Sequence, residues 1–200
     1  MEVHVLSVVP ASARKLAQWS RAEGMTISFY STADLPRKTL RYVKGLGIDR
    51  AFNILAAQNL GFERSPIVIV DIGTAMTVDF LDEKKRHKGG WICAGPRLLS
   101  EALSEKTAQL PRVDPAHRMM CQALLGSNST VTSLQNGSTA QTIGVIELAF
   151  ELSRQKFGKK PRLVLTGGWA PRIKLRKPIS GRRVPHLALR GLKDFIDNRG

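Results

Sequence analysis

Cysteine is scarce in this sequence, long apolar runs are missing, and acidic side chains are half as numerous as basic ones. Its two cysteines, Cys93 and Cys121, form no CxxC pair and have no histidine at metal-ligand spacing. That excludes a disulfide scaffold and a cysteine-based zinc site, and leaves two reduced thiols without a catalytic role. No apolar run reaches the roughly eighteen residues a membrane helix needs. The opening MEVHVLSVVP also lacks a basic region followed by a long apolar stretch, so the expectation is a cytoplasmic protein with no membrane partner. GxxxxGK[ST] does not occur, so any nucleotide has to be held by something other than that glycine-rich cradle.

The 200 residues, 42% of them hydrophobic and 24% charged, are enough for one compact domain or two small lobes with a packed core. The 31 Lys+Arg against 16 Asp+Glu give a net charge of +15, which makes polyanions plausible partners. The excess is mostly C-terminal: from Lys159 onward twelve basic residues face only Asp194 and Asp197. Such a stretch binds nucleic acid, attracts phosphorylated metabolites, or is simply a solvated face. No interleaved aromatic platform accompanies it to decide for nucleic acid.

The pattern along the chain predicts an α/β protein. A short strand ending at Pro10, a helix over 11–22 with Leu16 and Trp19 on one face, and a strand from Met25 make a strand-helix-strand unit. The segment from Ser31 to Lys44 reads as a loop or short helix, and a helix is predicted from Arg50 to Leu60. IVIVDIG, AMTVDFLD and WICAG read as an antiparallel meander, with EKKRHKGG as a polar turn. Helices are predicted from Pro96 to Leu110 and from Thr130 to Phe157. In the second, Ile143, Ile146, Phe150 and Phe157 fall at helical spacing, and Gly137 and Gly144 would allow close packing. RLVLTGG is one more buried strand, and LRGLKDFIDN a last helix.

Three motifs can carry chemistry. In DIGTAMT, Asp71 ends a buried strand, and the turn at Gly73 and Thr74 can offer backbone N–H groups and a hydroxyl to a phosphate while the carboxylate holds a cation; it is equally a structural hairpin. In GIDR, Asp49 is placed either as a general base or as a helix cap, and Arg50 can grip a carboxylate. Thr130 within SNSTVTSLQNG is a ligand contact or capping chemistry, and TGG at Thr166 to Gly168 is a nucleotide contact or a turn.

Taken in order, SVVP, GIDR, VDIGTAMTVD, GGWICAG, STVTSLQNG and TGG resemble the type III pantothenate kinases, whose members carry GxDR, DxGTAxT, GGxIxPG and a threonine-bearing SxG helix start in that order. LLSEALSEKTAQLPRV is similar to that family's segment after the third strand. The resemblance implies the actin-like, ribonuclease-H-like kinase superfamily fold, with two related lobes and the nucleotide between them. It implies ATP-dependent phosphorylation of pantothenate to 4'-phosphopantothenate, the first step of coenzyme A synthesis. By the same resemblance, Asp49 is the base for the pantothenate hydroxyl, with Gly47, Ile48, Arg50 and Thr130 around the substrate. Asp71 is the ligand of a monovalent cation (K+ or NH4+), Gly73 and Thr74 contact ATP with its Mg2+, and Gly167 and Gly168 line the nucleotide.

This sequence departs from the family at two places. The family's opening DxGNT phosphate loop has no counterpart, since the first aspartate, Asp34, is followed by Leu-Pro-Arg, and Ala94 stands where proline is usual. The expectation is therefore a first lobe, residues 1–65, that is incomplete and carries GIDR, and a second lobe, residues 66–200, with DIGTAMT and the basic C-terminal segment. A misassigned start, or a partner polypeptide supplying the first loop, would account for the gap, with the working unit a homodimer or such a heterodimer. The alternative is a noncatalytic relative that regulates or binds nucleic acid.

Overall fold

Ile67–Ile72, a β-branched run broken only by Asp71, forms the central strand (β3) of a five-stranded sheet, as its composition dictates. The computed structural model describes residues 2–35, 40–42, 44–115, 119–120 and 126–198. Cys121 and residues 36–39 and 43 of the predicted loop lie outside them. The chain divides into two compact units, residues 1–60 with 187–200, and residues 61–186.

In the first unit, β1 (Glu2–Val5) and β2 (Thr26–Phe29) pair in parallel, from Glu2 opposite Thr26 to Val5 opposite Phe29. The connection between them is α1 (Pro10–Ala22), begun by a proline whose missing N–H costs nothing there. The strand-helix-strand reading holds, but Trp19 is 52% exposed instead of facing inward with Leu16. Thr32–Asp34 is a short 3-10 helix capped reciprocally by Ser31 and Asp34. α2 (Ile48–Gln58) packs on α5 (Leu187–Asp197). Gly191 sets their closeness, since a methyl group there would overlap the Phe52 carbonyl oxygen. Phe195 and Tyr30 meet Phe52 edge to face, with centroids 5.5 and 6.3 Å from its ring. The predicted division at 66 thus moves to Gly61, and the last helix belongs to the first unit.

The second unit is built on a sheet ordered β5-β4-β3-β7-β9. β4 (Ala75–Leu81) and β5 (His87–Ala94) extend β3 as the predicted antiparallel meander, except that β5 begins at His87, inside the predicted polar turn. α3 (Pro96–Lys106), the two-residue β6 (Met119–Met120) and α4 (Thr130–Phe157) follow before β7 (Arg162–Thr166) returns parallel to β3. β6 pairs with β8 (Ile173–Lys174), and β9 (Gly181–Arg183) runs parallel to β7. Counted along the chain, the sheet strands lie in the order 3-2-1-4-5 with only the second antiparallel to its neighbours. This is the ribonuclease-H-like arrangement that the motif set implies.

One face of the sheet carries Val68, Val70, Ile72, Met76, Val78, Leu163 and Leu165, and α4 covers it with Ile143, Ile146 and Phe150. Each such side chain contributes about 1.5–3 kcal/mol when fully buried. Gly137 and Gly144 do not serve close packing, because a methyl group at either would meet nothing within 4 Å. Gly144→Ala is therefore expected to stabilise the protein by up to about 1 kcal/mol, through better helix propensity, read as a raised Tm.

Asp82 organises the β4–β5 turn. Its carboxylate accepts the N–H groups of Lys84 and Arg86, each at 2.9 Å, and is paired with the Arg86 guanidinium at 2.9 Å and the Lys88 ammonium at 3.2 Å. Burial acts to raise its pKa, but the hydrogen bonds from Arg86 and Lys88 outweigh it and the group titrates below its ordinary value of 3.8. A depressed carboxylate stabilises the fold above its unfolded pKa and loses that contribution as pH falls through the folded one. Asp82→Asn should cost about 1–2 kcal/mol at neutral pH, with both cationic partners partly solvated. Denaturant unfolding should show the difference from wild type shrinking as the pH is taken below 3.8.

Candidate functional site

Three turns converge at the C-terminal ends of β3 and β7. Asp71 lies opposite Thr77 on β4 and Thr166 on β7. The Gly73 N–H donates to the Ala75 carbonyl at 3.0 Å, closing the turn that presents Thr74 to solvent. The Gly95 N–H donates to the Thr74 carbonyl at 2.8 Å, and a methyl group on Gly95 would overlap the Gly73 carbonyl oxygen. On the other side, the Trp169 N–H donates to the Ile72 carbonyl at 3.0 Å, folding the TGG turn over the end of β3.

Gly167 is the tightest point. Its φ of +90° is open to glycine, and a methyl group there would sit 2.5 Å from Asp71 Oδ1 and 2.6 Å from both the nitrogen and oxygen of Ile72. The structure therefore brings together Asp71, Gly73, Thr74 and Gly167. Gly168 is exposed beside them, with nothing within 4 Å of an added methyl group. Gly95, whose role sequence reasoning left unassigned, joins them and caps α3 without a side chain, so the helix's first N–H groups open next to Thr74. A carboxylate, an exposed hydroxyl and a helix N-terminus on glycine-lined turns can hold phosphate oxygens and a cation.

The GIDR residues lie in the first unit. Gly47, not Asp49, is the N-cap of α2, and Asp49 falls in the first turn, half-buried, its Oδ1 accepting the Arg50 N–H at 2.8 Å. A methyl group on Gly47 would come 2.5 Å from that same Oδ1, so the glycine leaves room for the carboxylate. Ile48 is buried, and so is Arg50, whose guanidinium donates to the Tyr42 hydroxyl at 3.2 Å. Thr130 opens α4, exposed, at a small groove between α3 and α4 that Leu99, Leu103 and Leu134 also line. The cap of α4 is Ser129, in a reciprocal box with Thr132. Among the described residues no group of three or more His, Cys, Asp or Glu is assembled to hold a metal ion. None of their helices is long and apolar enough to cross a membrane.

The topology and the glycine-lined turns define an α/β lobe of the ribonuclease-H-like class with a candidate phosphate site at the ends of its parallel strands. The family model for type III pantothenate kinase matches residues 1–151, and the chain belongs to that family. It is 35% identical over 148 residues to the type III pantothenate kinase of Geobacillus kaustophilus (strain HTA426), covering 74% of this chain and 55% of that one. With the type III pantothenate kinase of Dehalococcoides mccartyi (strain CBDB1) it shares 36% over 148 residues, 74% of this chain and 54% of that one. The chain thus spans about half the length of these curated relatives. A solved structure, the activator of the 2-hydroxyisocaproyl-CoA dehydratase from Clostridium difficile with bound ADPNP, is similar at 10% identity and a TM-score of 0.39, covering 99% of this chain and 94% of that one. That likeness is too distant to bear on function.

Proposed function

We propose that this chain phosphorylates pantothenate to 4'-phosphopantothenate with ATP, the first step of coenzyme A synthesis, acting in a dimer. The observation that carries the reading is the convergence of Asp71, Thr74 and Gly167, where turns far apart in sequence leave a glycine-only gap over a carboxylate. Thr74 donates its hydroxyl to a phosphate oxygen of ATP, and the N–H groups around Gly73 and the start of α3 add positive dipole. The absent side chains of Gly167 and Gly168 let the nucleotide approach the backbone.

In the first unit, the Asp49 carboxylate accepts the proton of the pantothenate hydroxyl as that oxygen bonds to the γ-phosphorus and the bond to ADP breaks. Gly47 and Ile48 fix the backbone that aims it, and Arg50 holds that helix start through Tyr42. Thr130 contributes a hydroxyl to the substrate. The donor set suits cations: Asp71, with neighbouring carbonyls, would hold K+ or NH4+, and Mg2+ on the ATP phosphates would neutralise charge on the transferring group. The working surroundings of such a reaction are cytoplasmic.

Calorimetric titration with a non-hydrolysable ATP analogue tests the site apart from turnover. Saturable binding that weakens when the Asp71 and Gly167 contact is disturbed supports the reading, and absence of binding to the folded chain opposes it.

A further inference from the structure

The second unit has another cleft, at the opposite ends of the same parallel strands. Phe62 and Ser65 lie just before β3, Lys159 and Lys160 just before β7, and Arg162 and Arg182 at the starts of β7 and β9. Because β3, β7 and β9 run parallel, these approaches meet at one end of the strands and line an open cleft of about 580 Å3. Asp71 is four residues along β3 from Ile67, so roughly 13 Å of strand separates the two places.

The lining is cationic. Lys159, Lys160, Arg162 and Arg182 are all exposed. No ion pair among the described residues takes up Lys159, Lys160 or Arg162. The guanidinium carbons of Arg162 and Arg182 stand 5.9 and 5.8 Å from the centroid of the Phe62 ring, which gathers two planar donor forks at one point. Lys85, in the turn that Asp82 organises, fixes the loop bearing that ring, its ammonium donating to the Phe62 carbonyl and, at 2.9 Å, to the Ser65 carbonyl.

We propose that this cleft binds a small anion carrying two or three linked phosphates, free or on a metabolite. Guanidinium forks match phosphate oxygens in pairs, the two lysines add point charges, and the volume is that of a small-molecule site. A nucleic-acid strand fits less well, since the one aromatic ring in the cleft already engages two arginines and offers bases no stacking platform.

The test is titration of the full 15N-labelled chain with inorganic tripolyphosphate at about 0.1 M salt, where attraction beyond about 10 Å is screened. Amide resonances around Phe62, Lys160 and Arg182 should move before those of Gly73, Thr74 and Gly167. Lys160→Gln combined with Arg162→Gln should weaken tripolyphosphate binding at the cleft about tenfold while leaving the tripolyphosphate-induced shifts of Gly73, Thr74 and Gly167 unchanged. A second arm uses oligothymidylate with the same number of phosphates. Cleft amides that stay still, an affinity indifferent to the double substitution, or tighter binding of the oligothymidylate each overturn the proposal, the last in favour of a nucleic-acid backbone. The shift map is read on the unsubstituted protein, so it stands even if the variant folds poorly.

Discussion

Asp49→Asn should lower kcat for pantothenate phosphorylation by about 10²–10⁴-fold, the range for losing a positioned general base. The substitution is a sharp one because asparagine keeps an oxygen where Asp49 Oδ1 accepts the Arg50 N–H, so the first turn of α2 has no reason to change. Were the carboxylate there only to complete the helix start, asparagine would serve about as well, since both residues satisfy N-terminal N–H groups. Gly47 holds the N-cap position without a side-chain bond, so the Arg50 N–H depends on this oxygen in either variant. Steady-state kinetics should show the loss in kcat, with KM for ATP little altered. A kcat close to wild type would leave Asp49 as a structural residue.

Gly167→Ala should weaken binding of an ATP analogue by roughly a hundredfold, or about 2–3 kcal/mol. Two costs combine. Alanine is strained at a φ of +90°, and its methyl group would lie 2.5 Å from Asp71 Oδ1 and 2.6 Å from the Ile72 backbone, which is pinned by its ladder to β4. Relief requires the TGG turn to swing away from β3 or the Asp71 carboxylate to turn aside, and either change disturbs the candidate phosphate site. Gly144→Ala, on the exposed side of α4, is the control for a generic glycine effect. Calorimetry on the two variants, with circular dichroism to confirm that both are folded, separates a lost site from a lost fold.

Much of this was legible in the sequence because it is local. The β-branched run of β3 and the helical spacing of Ile143, Ile146 and Phe150 each point to one element, and α4 runs over the predicted residues, from Thr130 to Phe157. DIGTAMT reads as a turn with ligand chemistry because carboxylate, glycine and hydroxyl are adjacent. Its meeting with Gly167 depends on a parallel pairing that sets Asp71 opposite Thr166, far along the chain. Nothing in LVLTGG alone aims it at Asp71.

Other features were hidden for the same reason. The packing of α5 on α2 needs Gly191 against the Phe52 backbone, a contact across most of the chain. GRR in β9 carries no strand signal, and backbone pairing to β7 alone makes it one. Periodicity placed Leu16 and Trp19 of α1 on one face, yet Trp19 is exposed, since amphipathic spacing does not say whether a neighbour is there. The basic residues after Lys159 looked like one tract by composition. The fold instead sends Arg183 to the Ala170 and Ile173 carbonyls and groups Lys159, Lys160, Arg162 and Arg182 about Phe62.

The most direct measurement is ADP release coupled to pantothenate, with ATP, Mg2+ and K+ present, for this chain by itself and together with its copurifying proteins. The account predicts turnover that requires pantothenate and falls at least about a hundredfold with Asp49→Asn. Folded chain that binds the ATP analogue yet releases no ADP in response to pantothenate, in either preparation, would contradict it.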